Sequence, residues 1–236
     1  LLPRAVWSED REGTNGIGTC IVEGRPITIH KDEHFLSQHS VLTCTAAPVF
    51  DPDGKVCSVL DVSAVRDDIK RTDCLRVRGM VADYADALER ILFFDERAGD
   101  VILHLHPEAR HVGSTRDAMI SIAPDGTISG ATSTARRILA AANNSTDIAQ
   151  MFEMDVDDLL SKFANQDQGA APATALNISG GGVLFGSVTM PERMRRRYVG
   201  RSTPITTRAP KAVKPAAQIA DRDPALRRIY DIGVRL

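Results

Sequence analysis

Two turns of the same chemistry constrain this chain more than anything else in it: Asp51-Pro52-Asp53-Gly54 and Pro124-Asp125-Gly126. In each, proline presets φ for a reversal and glycine supplies the positive φ that closes it. Each turn is flanked by strand-like runs, Thr45 to Phe50 and Val56 to Val62 in the first half, Ala118 to Ala123 and Thr127 to Gly130 in the second. Between the two hairpins lies a helical stretch, about Thr72 to Phe94. Met80, Val81, Tyr84, Leu88, Ile91 and Leu92 recur there at threes and fours, opposite Asp83, Asp86, Glu89 and Arg90. Hairpin units separated by helices predict an α+β chain, with two small antiparallel modules joined by a long helix. The apolar side of that helix serves equally to pack on its own sheet or to form a parallel dimer.

The remaining elements follow from local signals. Residues 1–16 are polar and end in Asn15-Gly16, which predicts a tight turn. Thr19 to Val22 and Pro26 to His30 then read as short strands around Glu23-Gly24-Arg25, and Asp32 or Glu33 is placed to cap a short helix through about Ser40, with Phe35 and Leu36 inward. Val101 to His106 alternates like a strand. Helices are expected near Ser133–Ala142, with Ile138 and Leu139 apolar, and after Asp155 or Asp157, with Leu159, Leu160 and Phe163 inward. Asn165 to Pro172 reads as a loop, and Leu176–Ile178 and Val183–Val188 as a last hairpin. Pro204, Pro210 and Pro215 mark a semi-extended linker, after which Asp223-Pro224 opens another helix.

Composition narrows the class. The 236 residues are 43% apolar and 25% charged, enough to bury a core in one or two domains. No apolar run approaches the ~18 residues of a membrane span. The sequence begins at Leu1 without a signal-like stretch and reads as a piece of a longer protein. Its net charge of −2 conceals an asymmetry: residues 193–236 carry 12 Lys/Arg against 3 Asp/Glu, the rest 17 against 28. The acidic body opposes nucleic-acid binding. Arg193, Arg195, Arg196, Arg197 and Arg201 lie close together but with only Tyr198 as an aromatic, so no direct nucleic-acid contact is expected. Cys20, Cys44, Cys57 and Cys74 form no C-x-x-C pair, which points away from zinc and toward reduced thiols in the cytoplasm.

Catalytic signatures are absent. Gly13, Gly16 and Gly18 give G-x-x-G-x-G, the wrong order for a dinucleotide loop. His30, His34 and His39 share one segment and His104 and His106 alternate on one strand; no third metal ligand lies nearby unless His111 folds back, so hydrogen-bonded histidines are expected. No serine sits in a G-x-S-x-G elbow, and Cys44 enters a strand as a small hydrophobe. No catalytic residue, metal or cofactor is assigned.

A family resemblance enters through several motifs taken together. Val6-Trp7-Ser8-Glu9, Gly13-Thr14-Asn15-Gly16-Ile17-Gly18-Thr19, Glu33-His34-Phe35-Leu36, the run from Leu42 to Gly54, and Val59-Leu60-Asp61-Val62-Ser63 resemble the GAF sensor domain of acetoin-catabolism-type, sigma-54-dependent transcriptional activators. Residues 114–200 are similar in pattern to the PAS domain that follows in that family, and Asp221 to Leu236 resembles the opening helix of its AAA+ ATPase. The resemblance implies the later part of a GAF domain over 1–71, a connecting helix over 72–97, a PAS-like domain over 98–201, a linker over 202–220 and the start of an AAA+ module over 221–236. It also implies a cytoplasmic homodimer that binds a small-molecule effector and controls the ATPase. Trp7, Asn15, His34, Phe35, Cys44 and Thr45 are the matching effector-site positions. The phosphate loop and the helix-turn-helix of the family are not in this sequence. Two rival readings are a cysteine-dependent enzyme resembling GAF-fold methionine sulfoxide reductases and a purely structural dimerisation module.

Overall fold

The structure, a computed structural model, describes residues 4–66, 68–141, 146–164, 173–179 and 181–198. The loop Asn165–Pro172, Arg201, the linker 202–220 and the segment 221–236 lie outside the described residues. The chain forms two antiparallel sheets. The first has the order β1-β2-β3, from Ile27–His30, Thr43–Phe50 and Val56–Ala64. The second has five strands in the order β6-β5-β4-β8-β7, from Ile128–Ala131, Ala118–Ile122, Val101–His106, Val183–Thr189 and Thr174–Asn177. Both Pro-Asp-Gly turns close hairpins as expected, with Gly54 and Gly126 at φ of 87° and 89°.

The first sheet is covered on both faces, and strand alternation decides what each face meets. Cys44 and Ala46 on β2 share a face with Ile27 and Ile29 of β1 and with Asp61 and Ser63 of β3. The short helix α2, Gly16–Glu23, packs there, Cys20 closing a cluster with Ile27, Ile29 and Ala46. Thr43, Thr45, Ala47 and Val49 face the other way; the last two pack on Val81 and Ala85 of the long helix α3, Arg71–Glu96. Phe93, near the end of α3, continues into a cluster with Ile102 and Met119, on one face of the second sheet. The opposite face of that sheet carries the largest core. Val101, Leu103 and Leu105 meet Ala135 of α4 (Ser133–Ala141), Met151 and Phe152 of α5 (Ile148–Phe152), Leu159 and Phe163 of α6 (Val156–Ala164) and Tyr198 of α7 (Glu192–Tyr198).

Three expectations are corrected. Asn15-Gly16 does not open a hairpin, and Thr19 to Val22 is not a strand: Asn15 is the N-cap of α2, Gly16–Glu23, its side-chain oxygen accepting the Gly18 N–H at 2.8 Å. A short helix α1, Glu9–Glu12, precedes it. Asp32 to Ser40 forms not one helix but two single 3₁₀ turns, Lys31–Glu33 and Ser37–His39, and Phe35 between them is 74% exposed rather than inward. The third correction concerns α3. The side of it that meets the sheets is Cys74, Val81, Ala85, Glu89 and Phe93, while Met80, Tyr84, Leu88 and Ile91 face outward. Small residues let the helix lie close to β2, so the bulkier stripe is left on the other side.

Candidate functional site

Where the first sheet meets α2 and the preceding segment, a cavity of about 140 Å³ is lined by Trp7, Asn15, Gly16, Ile17, His34, Leu42, Cys44, Asp61 and Ser63. The space equals that of roughly five waters at ~30 Å³ each. Four of the expected positions, Trp7, Asn15, His34 and Cys44, come together around it. Phe35 and Thr45 do not. Phe35 lies over Gly13 at the surface, its N–H donating to Thr14 O at 3.1 Å. Thr45 follows Cys44 on the strand and so points to the opposite face, where its hydroxyl meets that of Thr28 at 3.2 Å. Asp61 and Ser63 were missed, although the hairpin register places Ser63 opposite Cys44 and Asp61 opposite Ala46, on the cavity face.

The lining residues divide into those that build the wall and those that have bonding capacity to spare. Asn15 is a builder. Its amide nitrogen donates to Trp7 O at 3.1 Å and Gly13 O at 2.8 Å while its oxygen caps α2, so its polar atoms are occupied. It fixes the position of Trp7 relative to the helix. Gly16 is required for the close approach of helix and sheet: a Cβ there would lie 2.6 Å from Cys44 Cβ and 2.9 Å from Asp61 Oδ1. By contrast, Trp7 Nε1, His34 Nε2 and Asp61 Oδ1 are buried without a hydrogen-bond partner, as is Nδ1 of His39. His39 backs the wall, its ring 5.3 Å from Trp7 and edge-on to His34 at 6.3 Å.

The partners that are present fix the roles of these groups. His34 Nδ1 lies 2.9 Å from Lys31 O, and because a carbonyl only accepts, Nδ1 carries the proton. In the neutral ring Nε2 is then an acceptor, and His34 is only 6% exposed. Asp61 Oδ2 lies 2.7 Å from Ser63 Oγ, which is also 3.2 Å from Cys44 Sγ. Burial pushes the Asp61 carboxyl above its ordinary range, against the opposing effects of the Ser63 hydrogen bond and of nearby His34. Burial likewise raises the Cys44 thiol, which keeps it protonated and a poor nucleophile. The cavity lining therefore holds one indole donor, the Asp61 carboxyl and the unpartnered Nε2 of His34, in an aromatic and aliphatic wall. Such a set has the chemistry to hydrogen-bond a small polar molecule. Among the described residues no three His, Cys, Asp or Glu side chains are grouped to hold a metal, and no helix is long and apolar enough to cross a membrane.

The second module's histidines are accounted for otherwise. His104 Nδ1 meets Asp117 Oδ2 at 2.9 Å and its Nε2 meets Thr189 Oγ1 at 3.0 Å; Asp117 also accepts from Gly113 N–H and pairs with Arg90 of α3. Both ring nitrogens of His104 and both carboxylate oxygens of Asp117 have partners.

Comparison with known proteins places the first sheet within a family match. Residues 1–88 match the GAF domain family. The chain is 31% identical over 194 residues to the acetoin catabolism regulatory protein of Cupriavidus necator, an alignment covering 79% of this chain and 29% of that protein. It is 37% identical over 59 residues to AcoR, the acetoin dehydrogenase operon transcriptional activator of Bacillus subtilis, covering 25% of this chain and 10% of the relative. It is also 34% identical over 58 residues to MimR, the propane 2-monooxygenase operon transcriptional activator of Mycolicibacterium smegmatis, covering 24% and 10%. This chain thus spans less than a third of the length of each of these relatives. Among solved structures, the Escherichia coli DhaR(N)–DhaL complex aligns at a TM-score of 0.32 and 14% identity, covering 78% of this chain and 67% of that one, too loose a likeness to bear on the fold. The chain is a homologue of the acetoin-catabolism-type transcriptional activators and carries a GAF domain over residues 1–88.

Proposed function

We propose that this chain is the effector-sensing region of a sigma-54-dependent activator, taking a small uncharged hydroxyl- or carbonyl-bearing molecule into the cavity of its first sheet. The observation that carries this reading is the set of unpartnered buried atoms, Trp7 Nε1, His34 Nε2 and Asp61 Oδ1, around one enclosed space. A buried polar group left unpaired costs about 1–3 kcal/mol. A ligand that supplies all three partners recovers that cost on binding, which makes the empty-handed wall a receptor. A short hydroxyketone supplies two of the three partners: its carbonyl accepts from the Trp7 indole and its hydroxyl donates to Asp61 or His34. The relatives named for acetoin catabolism make acetoin the first molecule to try.

The five-stranded second sheet, with its helices inserted between β6 and β7, supports a PAS-like relay over 98–201 that passes the signal to an AAA+ module. A homodimer forms through α3. Val77, Met80, Tyr84, Ala87, Ile91 and Phe94 follow a heptad spacing, and Met80, Tyr84 and Ile91 are 59%, 64% and 65% exposed. Calorimetric titration with acetoin tests the effector reading: saturable binding that is lost in Trp7→Phe and His34→Ala supports it, and equal binding by both variants sinks it. Sedimentation tests the dimer, which Met80→Glu with Ile91→Glu is expected to split.

A further inference from the structure

The hairpin that walls the cavity does not end in solvent. Its strands β2 and β3 carry Cys44, Asp61 and Ser63 at one end, and eight residues along, roughly 25 Å away, its turn enters the second module. Pro52 is buried there, and its carbonyl accepts from two donors of that module: Ala131 N–H at 3.0 Å and the Arg136 guanidinium of α4. Asp53 Oδ1 pairs with Arg97 Nη2 at 2.9 Å. The surfaces are fitted to each other. A Cβ on Gly130 would stand 3.1 Å from Pro52 Cβ, and one on Gly54 would stand 2.5 Å from the Arg136 guanidinium carbon. The turn itself is braced, Lys55 N–H donating to Asp51 Oδ1 at 2.8 Å and Gly54 N–H to Asp51 O at 2.9 Å.

We infer that this turn is a coupling latch: the Pro52 carbonyl, held by Ala131 and Arg136, transmits the state of the first-module cavity to β6 and α4 of the second. The inference rests on the effector reading for its physiological input but not for its mechanics. The two strands pair from Thr43 to Phe50, in one register as far as Val49 and with a bulge between Val49 and Phe50. Such a ladder resists shear, so a displacement at Cys44, Asp61 or Ser63 is carried toward the turn. At the turn it meets the Pro52 hydrogen bonds and the tight approach to Gly130, at the edge of an open groove of about 590 Å³ lined by Asp53, Arg136 and Leu139. A contact of this kind switches between discrete arrangements. Arg136 sits in the first part of α4, whose start is fixed on α3 by Glu89 accepting the Ser133 N–H. A shift of Pro52 therefore acts on a helix pinned at one end, and converts to rotation of α4 against β6.

Hydrogen exchange of the whole chain reads this directly. Acetoin serves as the ligand probe; Cys44→Met, which fills the cavity from within, and Leu42→Phe as a second filler serve as ligand-free inputs. Each input is expected to change exchange over residues 128–141 about fivefold or more. In Arg136→Ala, and in Gly130→Ala as an independent disruption of the contact, that change disappears while acetoin affinity stays within about twofold of the parent chain. If the response over 128–141 persists undiminished in both latch variants, or if both fillers alter exchange only within residues 15–63, the latch is overturned. A chain that ignores acetoin but answers the fillers over 128–141 retains the latch and loses the effector reading.

Discussion

His34 and His104 are both almost fully buried, at 6% and 5% exposure, yet they teach opposite lessons. His104 has a partner on each nitrogen and sits beside an aspartate that is itself paired with Arg90. His34 has one carbonyl and, on the other nitrogen, a cavity. The first arrangement joins α3 to the second sheet; the second leaves a buried ring nitrogen unpartnered. Burial of a histidine therefore says little until both ring nitrogens have been followed to their partners.

That contrast can be broken or sharpened by substitution. The largest effect is expected for Asp117→Ala, which strands Arg90 and His104 without their carboxylate; breaking a buried ion pair costs about 4 kcal/mol, readable as a lower midpoint in urea. A loss under about 1 kcal/mol would show that the group is no more than a surface pair. Leu103→Ala, in the dry core behind the same sheet, is expected to cost about 3 kcal/mol in the same measurement. His34→Gln belongs to the other class: stability within about 1 kcal/mol of the parent chain, but acetoin binding weakened about tenfold or more. Equal losses of stability at His34 and His104 would erase the distinction.

The smallest effect is a pH dependence. The Asp61 carboxyl is raised in the folded chain, so between its unfolded and folded pKa values the native state binds the extra proton. Stability consequently falls as pH rises through that window, the reverse of a salt-bridged aspartate. Asp61→Asn removes this contribution, and its melting temperature is expected to gain on the parent chain at pH 7 and not at pH 4. Burial raises Glu89 as well, so the parent chain retains a slope of the same sign from that residue.

Turn chemistry was legible in the sequence, because proline and glycine dictate φ without help from distant contacts; both hairpins stand where their turns place them. Asn15 was misread because asparagine before glycine suits a tight turn and an N-cap equally, and only the Trp7 and Gly13 carbonyls above it favour the cap. In α3, hydrophobicity did not choose a side: of the apolar stripe, Val81 and Leu92 meet the first sheet while Met80, Tyr84, Leu88 and Ile91 face away. Sheet packing selected Val81 and Ala85 for their size, and nothing local reveals that Met80 and Tyr84 face away from the sheets. The site shows the same limit. Cys44 and Thr45 cannot both face one cavity from adjacent strand positions, so alternation alone would have removed Thr45. Counting back from the Asp51–Gly54 turn would have brought in Asp61 and Ser63. Phe35 was placed inward by its apolar character, which two 3₁₀ turns with no continuous face do not honour.

Glu89 carries a consequence for how the chain can be divided. It lies one residue past the GAF match, buried in the long helix, and its carboxylate takes up an amide at the head of α4. A fragment that stops at residue 88 abandons that amide, and one that starts at the second sheet leaves it facing nothing. The boundary that homology draws is thus not a seam along which the polypeptide comes apart: whoever expresses the halves separately should expect α4 to fray at its first turn, and the two pieces, mixed, to regain order by finding each other.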